Sequence, residues 1–204
     1  MDRVVDMLVN SFPRLEVLHI ALCNEHDFEA GFIRLYKNYA NLAAAATSAT
    51  SEVRENAAQT QRRQSGLLKR VFLEGCLSIT DRVLSTIGDI STLTTLILYG
   101  PFPAVSSDGI KQLVRKLVNL KEITIGILAT VKDDTLIGAF DNRTTPYLEI
   151  VRLQDLKSVT DYGIIIATDN IAKSLKTLTL TRCRSVTQSA VNFAKRKCTV
   201  YDYR

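Results

Sequence analysis

Leucines recur along the chain at a spacing that organises most of it. A six-residue pattern, Leu-x-x-(Leu/Ile/Val)-x-(Leu/Ile), starts at Leu15, Leu68, Leu93, Leu120, Leu148 and Leu175. The last five starts are 25, 27, 28 and 27 residues apart, and the first gap of 53 residues is close to two periods. Alternating apolar residues within the pattern predict a short strand that buries one of its faces.

Each of these strands is followed by a segment with helical spacing. Ser, Thr or Asp residues stand before the next apolar run, where their side chains can cap the start of a helix. Ile110, Leu113, Val114 and Leu117 then follow at the three- and four-residue steps of one helix face. Residues 31–46 predict a helix of the first repeat through the stripe of Phe32, Leu35, Tyr36, Tyr39 and Leu42.

A strand and one helix, about 27 residues together, cannot bury their own apolar faces, but stacked copies share a continuous core. The pattern therefore predicts one α/β solenoid of leucine-rich repeats over residues 1–204. We expect a right-handed horseshoe with six parallel strands on its concave face. Regular repeats occupy 66–196, and 197–204 form a basic C-terminal end.

Two segments interrupt the repeats. Residues 1–12 carry an apolar helical stripe, which predicts a capping helix or the helix of a preceding repeat. Residues 47–64 are rich in Ala, Thr, Ser and Gln and lack the leucine pattern. They are either a decayed repeat or an insertion, and the lack of large apolar residues favours an inserted loop, which is also a candidate partner site.

Composition narrows the class of protein. Hydrophobic residues make up 46% and charged residues 23% of the 204, with no apolar stretch long enough to cross a membrane. We find no signal peptide, and four cysteines without a CxxC pair favour a reducing compartment. The expected location is the cytoplasm or nucleus, with the mitochondrial matrix as the alternative.

Reactive residue types fit structural roles better than chemical ones. Cys23, Cys76 and Cys183 share one slot of different repeats, so they are too far apart for one zinc ion, and we expect buried thiols that donate to backbone carbonyls. Asp81, Asp133 and Asp161 also share a slot, and are interpreted as helix-start residues that favour the positive end of the helix dipole. With two histidines and no nucleotide-binding or nucleophile motif, we predict no catalytic residues, no metal site and no cofactor.

The repeat Leu-x-x-Leu-x-Leu-x-x-Cys-x-x-(Ile/Val)-Thr-Asp-x-Gly resembles the cysteine-containing leucine-rich repeats. Residues 68–87 and 148–167 match it best, while Pro101, Leu128 and Leu156 replace the cysteine. Such repeats occur in F-box/leucine-rich-repeat ubiquitin-ligase receptors, and similar ones in a mitochondrial ATP synthase coupling factor. The resemblance implies a horseshoe that binds protein partners, although residues 1–12 are too short to contain an F-box.

The concave face is the main candidate site. Its outward positions include an apolar centre on neighbouring strands within a charged surround, which is the usual anatomy of a protein interface. We expect partner contacts from Arg70, Phe72, Glu74, Ile97, Tyr99, Glu122, Arg152 and Gln154. The alternative is an ordinary exposed sheet whose residues only favour strand structure.

A second candidate lies in the basic C-terminal segment. Residues 171–204 contain eight cations and one anion, whereas the whole chain has a net charge of +5. A patch for an acidic partner protein, or for phosphates, would consist of Arg182, Arg184, Lys195, Arg196 and Lys197, together with Arg204. The alternative is that these cations only complement the carboxyl end of the last helix, and nucleic acid is not an expected partner.

Together these features predict a non-catalytic module that binds a protein partner through its concave face. The resemblance makes the substrate-recognition part of an F-box/leucine-rich-repeat ligase receptor the first hypothesis. The alternative is a structural or assembly subunit of a larger complex, with mitochondria as one location.

Overall fold

A single parallel sheet runs through the computed structural model, which describes residues 7–8, 11–12, 14–22, 28–48 and 67–204. The strands in this described part are β1 (Val17–Ala21), β2 (Arg70–Glu74), β3 (Thr95–Tyr99), β4 (Glu122–Gly126), β5 (Ile150–Gln154), β6 (Thr177–Thr181) and β7 (Thr199–Tyr203). The helices are α1 (Glu29–Ser48), α2 (Asp81–Gly88), α3 (Ser107–Lys116), α4 (Asp133–Ala139), α5 (Asp161–Asn170) and α6 (Gln188–Ala194). Strands and helices alternate, and each helix packs on the next one.

The strands follow chain order from β1 to β7, and every neighbouring pair is parallel. The register is constant, because the first residue of each strand aligns with the first residue of the next. The chain is therefore an α/β solenoid of leucine-rich repeats with an open sheet, as the spacing predicts. Neighbouring strands of a sheet are about 4.8 Å apart, whereas packed helices are about 10 Å wide. The helix layer therefore takes up more length than the strand layer, so the sheet lies on the inner, concave side.

Leucines at the start of the repeats form a buried spine beneath the sheet. Leu68, Leu93, Leu120, Leu148 and Leu175 are all at most 5% exposed. Inward residues of the strands and the apolar stripe of each helix fill the space between the two layers. Because each layer is shared by two repeats, removing one leucine loosens both.

The aspartates that begin the helices bind the next repeat. Asp133, the first residue of α4, accepts hydrogen bonds from the backbone N–H of Thr160 at 2.7 Å and from its hydroxyl at 2.6 Å. Thr160 is the N-cap of α5. Asp81 binds Ser106, the N-cap of α3, through the same pair of bonds. The helix-start interpretation is confirmed in position, but the carboxylates join repeats, which the dipole argument did not predict.

Asp161 and Glu29 also bind the N-cap of the next helix, and we call this series of bonds between repeats the aspartate ladder. Asp161 accepts from the N–H and hydroxyl of Thr187, the N-cap of α6, both at 2.5 Å. The Thr80 hydroxyl donates to Glu29 Oε1 at 2.7 Å, so a longer acid reaches across at the first interface. Four N-caps, Thr80, Ser106, Thr160 and Thr187, are therefore bound by an acidic residue one repeat earlier, whereas Lys132, the N-cap of α4, is bound by Thr135 of its own helix.

The residue after each of the first six strands is in the left-handed region. Gly75 and Gly100 take this conformation at φ 59° and 122°, and Leu22, Ile127, Asp155 and Arg182 take it without being glycine. Their N–H groups donate to the last residue of the next strand, as in the bond from Ile127 N to Gln154 O at 3.0 Å. These hydrogen bonds hold the turn residues in the left-handed conformation, which is energetically costly for a β-branched residue such as Ile127.

Among the described residues, no strand lies between β1 and β2 in the sheet, although a long segment separates them in the chain. β1 pairs directly with β2, and α1 packs on α2, so the two flanking repeats are neighbours. The helix predicted at 31–46 is confirmed and spans Glu29–Ser48. The predicted insertion at 47–64 lies outside the described residues beyond Ser48. Of the stripe predicted in residues 1–12, only residues 7–8 and 11–12 are described, and Leu8 packs against the core.

The six-strand prediction was wrong, because Thr199–Tyr203 form a seventh strand. This strand takes the last register position, with Val200 beside Leu178 and Asp202 beside Leu180. The basic end predicted at 197–204 is therefore part of the sheet. No helix in the described part of the chain has the length and apolar character needed to cross a membrane.

Candidate functional site

Three rows of side chains cover the concave face, one from each outward position of the strands. The middle row is His19, Phe72, Ile97, Thr124, Arg152, Thr179 and Tyr201. The row toward the carboxyl ends is Ala21, Glu74, Tyr99, Gly126, Gln154, Thr181 and Tyr203. The row toward the amino ends is Val17, Arg70, Thr95, Glu122, Ile150, Thr177 and Thr199. All eight residues predicted for partner contacts belong to these rows.

An apolar centre occupies β2 and β3. Phe72 and Ile97 stand side by side in the middle row, and Tyr99 follows Ile97 on the same strand. All three side chains are half-buried. The Phe72 ring also contacts the His19 ring, with centroids 5.6 Å apart. Aromatic and branched side chains on adjacent strands therefore form a continuous apolar surface here.

Charged groups around this centre bind one another. His19 Nε2 lies 3.4 Å from Glu74 Oε2, and Arg152 forms an ion pair with Glu122. Sequence analysis predicts Glu74, Glu122 and Arg152, with Arg70, as a charged surround, and the first three have partners within the face. Arg70 is exposed and has no ion-pair partner among the described residues.

Because Gly126 has no side chain, the Tyr99 ring can occupy the space above its backbone. A Cβ at this position would stand 2.5 Å from Tyr99 Cδ2, so the tyrosine ring rests directly on the glycine backbone. From there its hydroxyl accepts a hydrogen bond from Gln154 Nε2 at 3.1 Å. The bond spans β4, and it connects two residues that sequence analysis assigned to the site separately.

The basic residues at the C-terminal end do not form one patch. Arg182 and Arg184 follow the carboxyl end of β6, whereas Lys195, Arg196 and Lys197 precede the amino end of β7. Five residues of β7, about 13 Å at 3.3 Å per residue, separate the two groups. Arg182 is paired with Asp155 at 2.6 Å, and Lys197 with Asp169 at 3.0 Å.

Two tyrosines near this end were not among the predicted contacts, whereas Arg204 was predicted as part of the basic patch. Tyr201 and Tyr203 extend the concave face and are 49% and 58% exposed. Arg204 lies beyond them and binds Asp202 at 2.7 Å. The alternation of Thr199–Tyr203 between exposed and half-buried residues is the signal for this strand, and it is visible in the sequence as Thr-Val-Tyr-Asp-Tyr.

The shared cysteine slot has the structural role predicted for it. Cys76 donates to Glu74 O at 3.4 Å and to Ile20 O at 3.5 Å, and Cys183 donates to Leu153 O at 3.5 Å. Burial raises the pKa of the Cys183 thiol and that of the half-buried Cys198. Cys23 and His26 lie outside the described residues.

Side chains of the types that bind metal ions are dispersed in the described part of the chain. Within residues 14–22, 28–48 and 67–204, no three His, Cys, Asp or Glu side chains converge as metal ligands would. His19 is engaged by Glu74 on the open face.

Comparison with known proteins adds a distant structural neighbour. No family model matches the chain, and no curated protein does either. A chain of the yeast Rad7 and Elc1 complex matches with a TM-score of 0.41 and 14% identity. The match covers 98% of this chain and 59% of the neighbour, so the chain spans about three fifths of that protein. A similarity this distant transfers neither a partner nor a function.

Proposed function

We propose that the chain is a non-catalytic module that binds a protein partner on its concave face. The observation that carries the proposal is the apolar centre of Phe72 and Ile97, two half-buried side chains on the open face of adjacent strands. Three of the charged groups around it already have partners within the face, since Glu74 contacts His19 and Glu122 is paired with Arg152, and only Arg70 has no ion-pair partner among the described residues. A partner can therefore cover the centre without leaving those charges buried and unpaired, which is the usual cost of burying charge.

Tyr99 makes the centre a preformed surface. Its ring is supported by the Gly126 backbone, and its hydroxyl is bonded to Gln154. A side chain held in place before binding loses less conformational freedom on association. Tyrosine and other aromatic residues also carry a large share of binding free energy at interfaces.

The test is a pair of matched double substitutions. Phe72→Ala with Tyr99→Ala removes the centre, whereas Tyr147→Ala with Tyr162→Ala removes tyrosines outside the concave rows that are 56% and 64% exposed. A photoreactive amino acid at Ile97 first captures the partner in cells, and the purified partner is then titrated against each variant.

We expect the concave variant to bind at least about tenfold more weakly, since hot-spot truncations cost 2 kcal/mol or more. Its free energy of unfolding should stay within about 1 kcal/mol of the wild type, as for other surface changes. The tyrosine control should bind normally. A partner that loses affinity for the control and keeps it for the concave variant would refute the proposal.

Within this function we propose the role of a substrate receptor for a ubiquitin ligase, as the cysteine-containing repeats imply. An assembly subunit of a stable complex is the alternative. The captured partner distinguishes them, because a ligase substrate is ubiquitinated and turned over when the chain is present. An assembly partner instead co-elutes with the chain at fixed stoichiometry. A partner whose lifetime does not depend on the chain supports the assembly role.

A further inference from the structure

A small hollow lies at the carboxyl ends of β6 and β7, away from the apolar centre. It has a volume of about 200 Å³ and is lined by Arg182, Cys183, Arg184, Val186 and Arg204. Three arginines thus line one hollow whose remaining lining residues, Cys183 and Val186, are buried. The three arginines are at the carboxyl end of β7, whereas Lys195–Lys197 are at its amino end.

Two of the arginines are held in position by carboxylates of the chain. Arg182 Nη2 lies 2.6 Å from Asp155 Oδ2. Arg204 donates from Nε to Asp202 Oδ2 at 2.7 Å and from Nη2 to Gln188 Oε1 at 3.2 Å. Each guanidinium has five N–H donors, so these contacts orient the groups and leave most of their donors available.

Arg184 supplies the unpaired charge. Its side chain is exposed, and it makes no ion pair with any described residue. Three guanidinium charges minus the two carboxylates of Asp155 and Asp202 leave a net charge of +1 around the hollow. The two carboxylates oppose an anion, but each is already engaged by an arginine.

We propose that this hollow binds a phosphate group. A phosphate monoester presents three terminal oxygens that accept strong hydrogen bonds, and three guanidinium groups around one space can each meet one of them. A carboxylate has two oxygens, which a single arginine can bind by itself. The buried Cys183 and Val186 give the carbon atoms attached to the phosphate an apolar floor. The proposal does not depend on the function assigned to the concave face.

The experiment is calorimetric titration of the full chain at about pH 8, where phosphate is mostly doubly charged. Inorganic phosphate and a phosphoserine peptide are the two phosphate probes, and acetate is the carboxylate probe. Arg184→Gln and Arg184→Lys change the unpaired arginine. Arg196→Gln is the matched control, because it removes the same charge from the other basic group. Far-UV circular dichroism checks that every variant is folded.

We expect saturable binding of the phosphate probes and weaker binding of acetate. Arg184→Gln should reduce phosphate affinity at least about tenfold, as loss of a charge-assisted hydrogen bond does. Arg184→Lys should also lose affinity, since it keeps the charge and loses the planar fork. A tighter peptide would identify the source as a phosphorylated protein, and equal affinities would identify free phosphate.

Three results would overturn the proposal. Acetate binding as tightly as phosphate would show that the hollow does not select the three-oxygen group. Equal losses in Arg184→Gln and Arg196→Gln would indicate diffuse positive charge rather than a site. Absence of saturable binding of either phosphate probe to the wild-type chain would exclude the site directly.

Discussion

Two glycines in neighbouring helices should respond to the same substitution with opposite signs. Gly163 is in the first turn of α5, and a Cβ there would lie 2.3 Å from Asp133 Oδ1 and 2.9 Å from Asp133 Cα. Gly138 is near the end of α4, where a Cβ would meet only the Lys111 side chain, at 3.1 Å from Cδ. We predict that Gly163→Ala destabilises the chain, whereas Gly138→Ala is neutral or stabilising.

The magnitude for Gly163 follows from the bonds that Asp133 must give up. It accepts from Thr160 N at 2.7 Å and from the Thr160 hydroxyl at 2.6 Å. Because both bonds are exposed, we assign about 1 kcal/mol to each, and about 1 kcal/mol more to displacing the Asp133 backbone. Alanine regains up to about 1 kcal/mol of helix propensity. The net loss is about 2 kcal/mol.

Gly138→Ala gains the same propensity and breaks no hydrogen bond of the ladder. The bond from Arg115 Nε to Gly138 O, at 2.7 Å, uses the backbone and is kept. The flexible Lys111 side chain can shift by a few tenths of an ångström. We expect an increase in stability of between zero and about 1 kcal/mol.

Urea unfolding followed by far-UV circular dichroism measures both variants against the wild type. The same Gly163→Ala change in an Asp133→Ala background gives the coupling between the two residues. Without the carboxylate, the Gly163→Ala penalty should fall by more than half. Equal effects of Gly163→Ala and Gly138→Ala, or an unchanged penalty in the Asp133→Ala background, would refute the role assigned to the aspartate ladder.

Three other perturbations test separate parts of the structure. Leu178→Ala should cost roughly 2–5 kcal/mol in urea unfolding, because the side chain is 2% exposed and fills a layer shared by two repeats. Cys76→Ser should cost about 1 kcal/mol in the same assay, since serine still donates to the carbonyls that the thiol reaches at 3.4 and 3.5 Å. The hydrogen bond from Lys111 lowers the pKa of Asp134 below its model-compound value of 3.8. The hydrogen bond between Lys111 and Asp134 therefore stabilises the folded chain above about pH 3.8, and this contribution is lost as the pH falls through the folded-state pKa of Asp134. Lys111→Met should raise the pKa of the Asp134 carboxyl, measured by NMR as its titration midpoint.

Core positions made the strands predictable because every repeat must fill the same kind of layer. Each of the first six strands begins two residues after a leucine of the pattern, as β3 does after Leu93 and β6 after Leu175. The leucine pattern did not predict β7, because the positions equivalent to the leucines hold Lys197 and Asp202. Only Val200 keeps the apolar character of a core slot, and it is half-buried. A strand with one neighbour in the described sheet does not need the large side chains that a shared layer demands.

Contacts between repeats were harder to predict, since the sequence shows slots but not which side chains reach across them. The Asp133–Thr160 bonds join residues 27 positions apart, so they are nearly one repeat long. The acidic slot was recognised as a helix start, where the dipole already accounts for a negative charge. Only the structure shows that Gly163 leaves room for the carboxylate to reach the next N-cap.

Charge pairing on the concave face follows a rule that the register reveals. His19 pairs with Glu74, and Glu122 with Arg152, and in both cases the partner is on the next strand and one row closer to the carboxyl ends. Long side chains span such diagonals between neighbouring strands. The direct and diagonal positions opposite Arg70 on β3 hold Thr95 and Ile97, and neither has a negative charge that could pair with the guanidinium group. Because Arg70 is next to the apolar centre, the partner proposed for this face should place a carboxylate there. Arg70→Gln should therefore weaken binding of that partner. Arg152→Gln should chiefly disturb the face itself, because Arg152 is paired with Glu122.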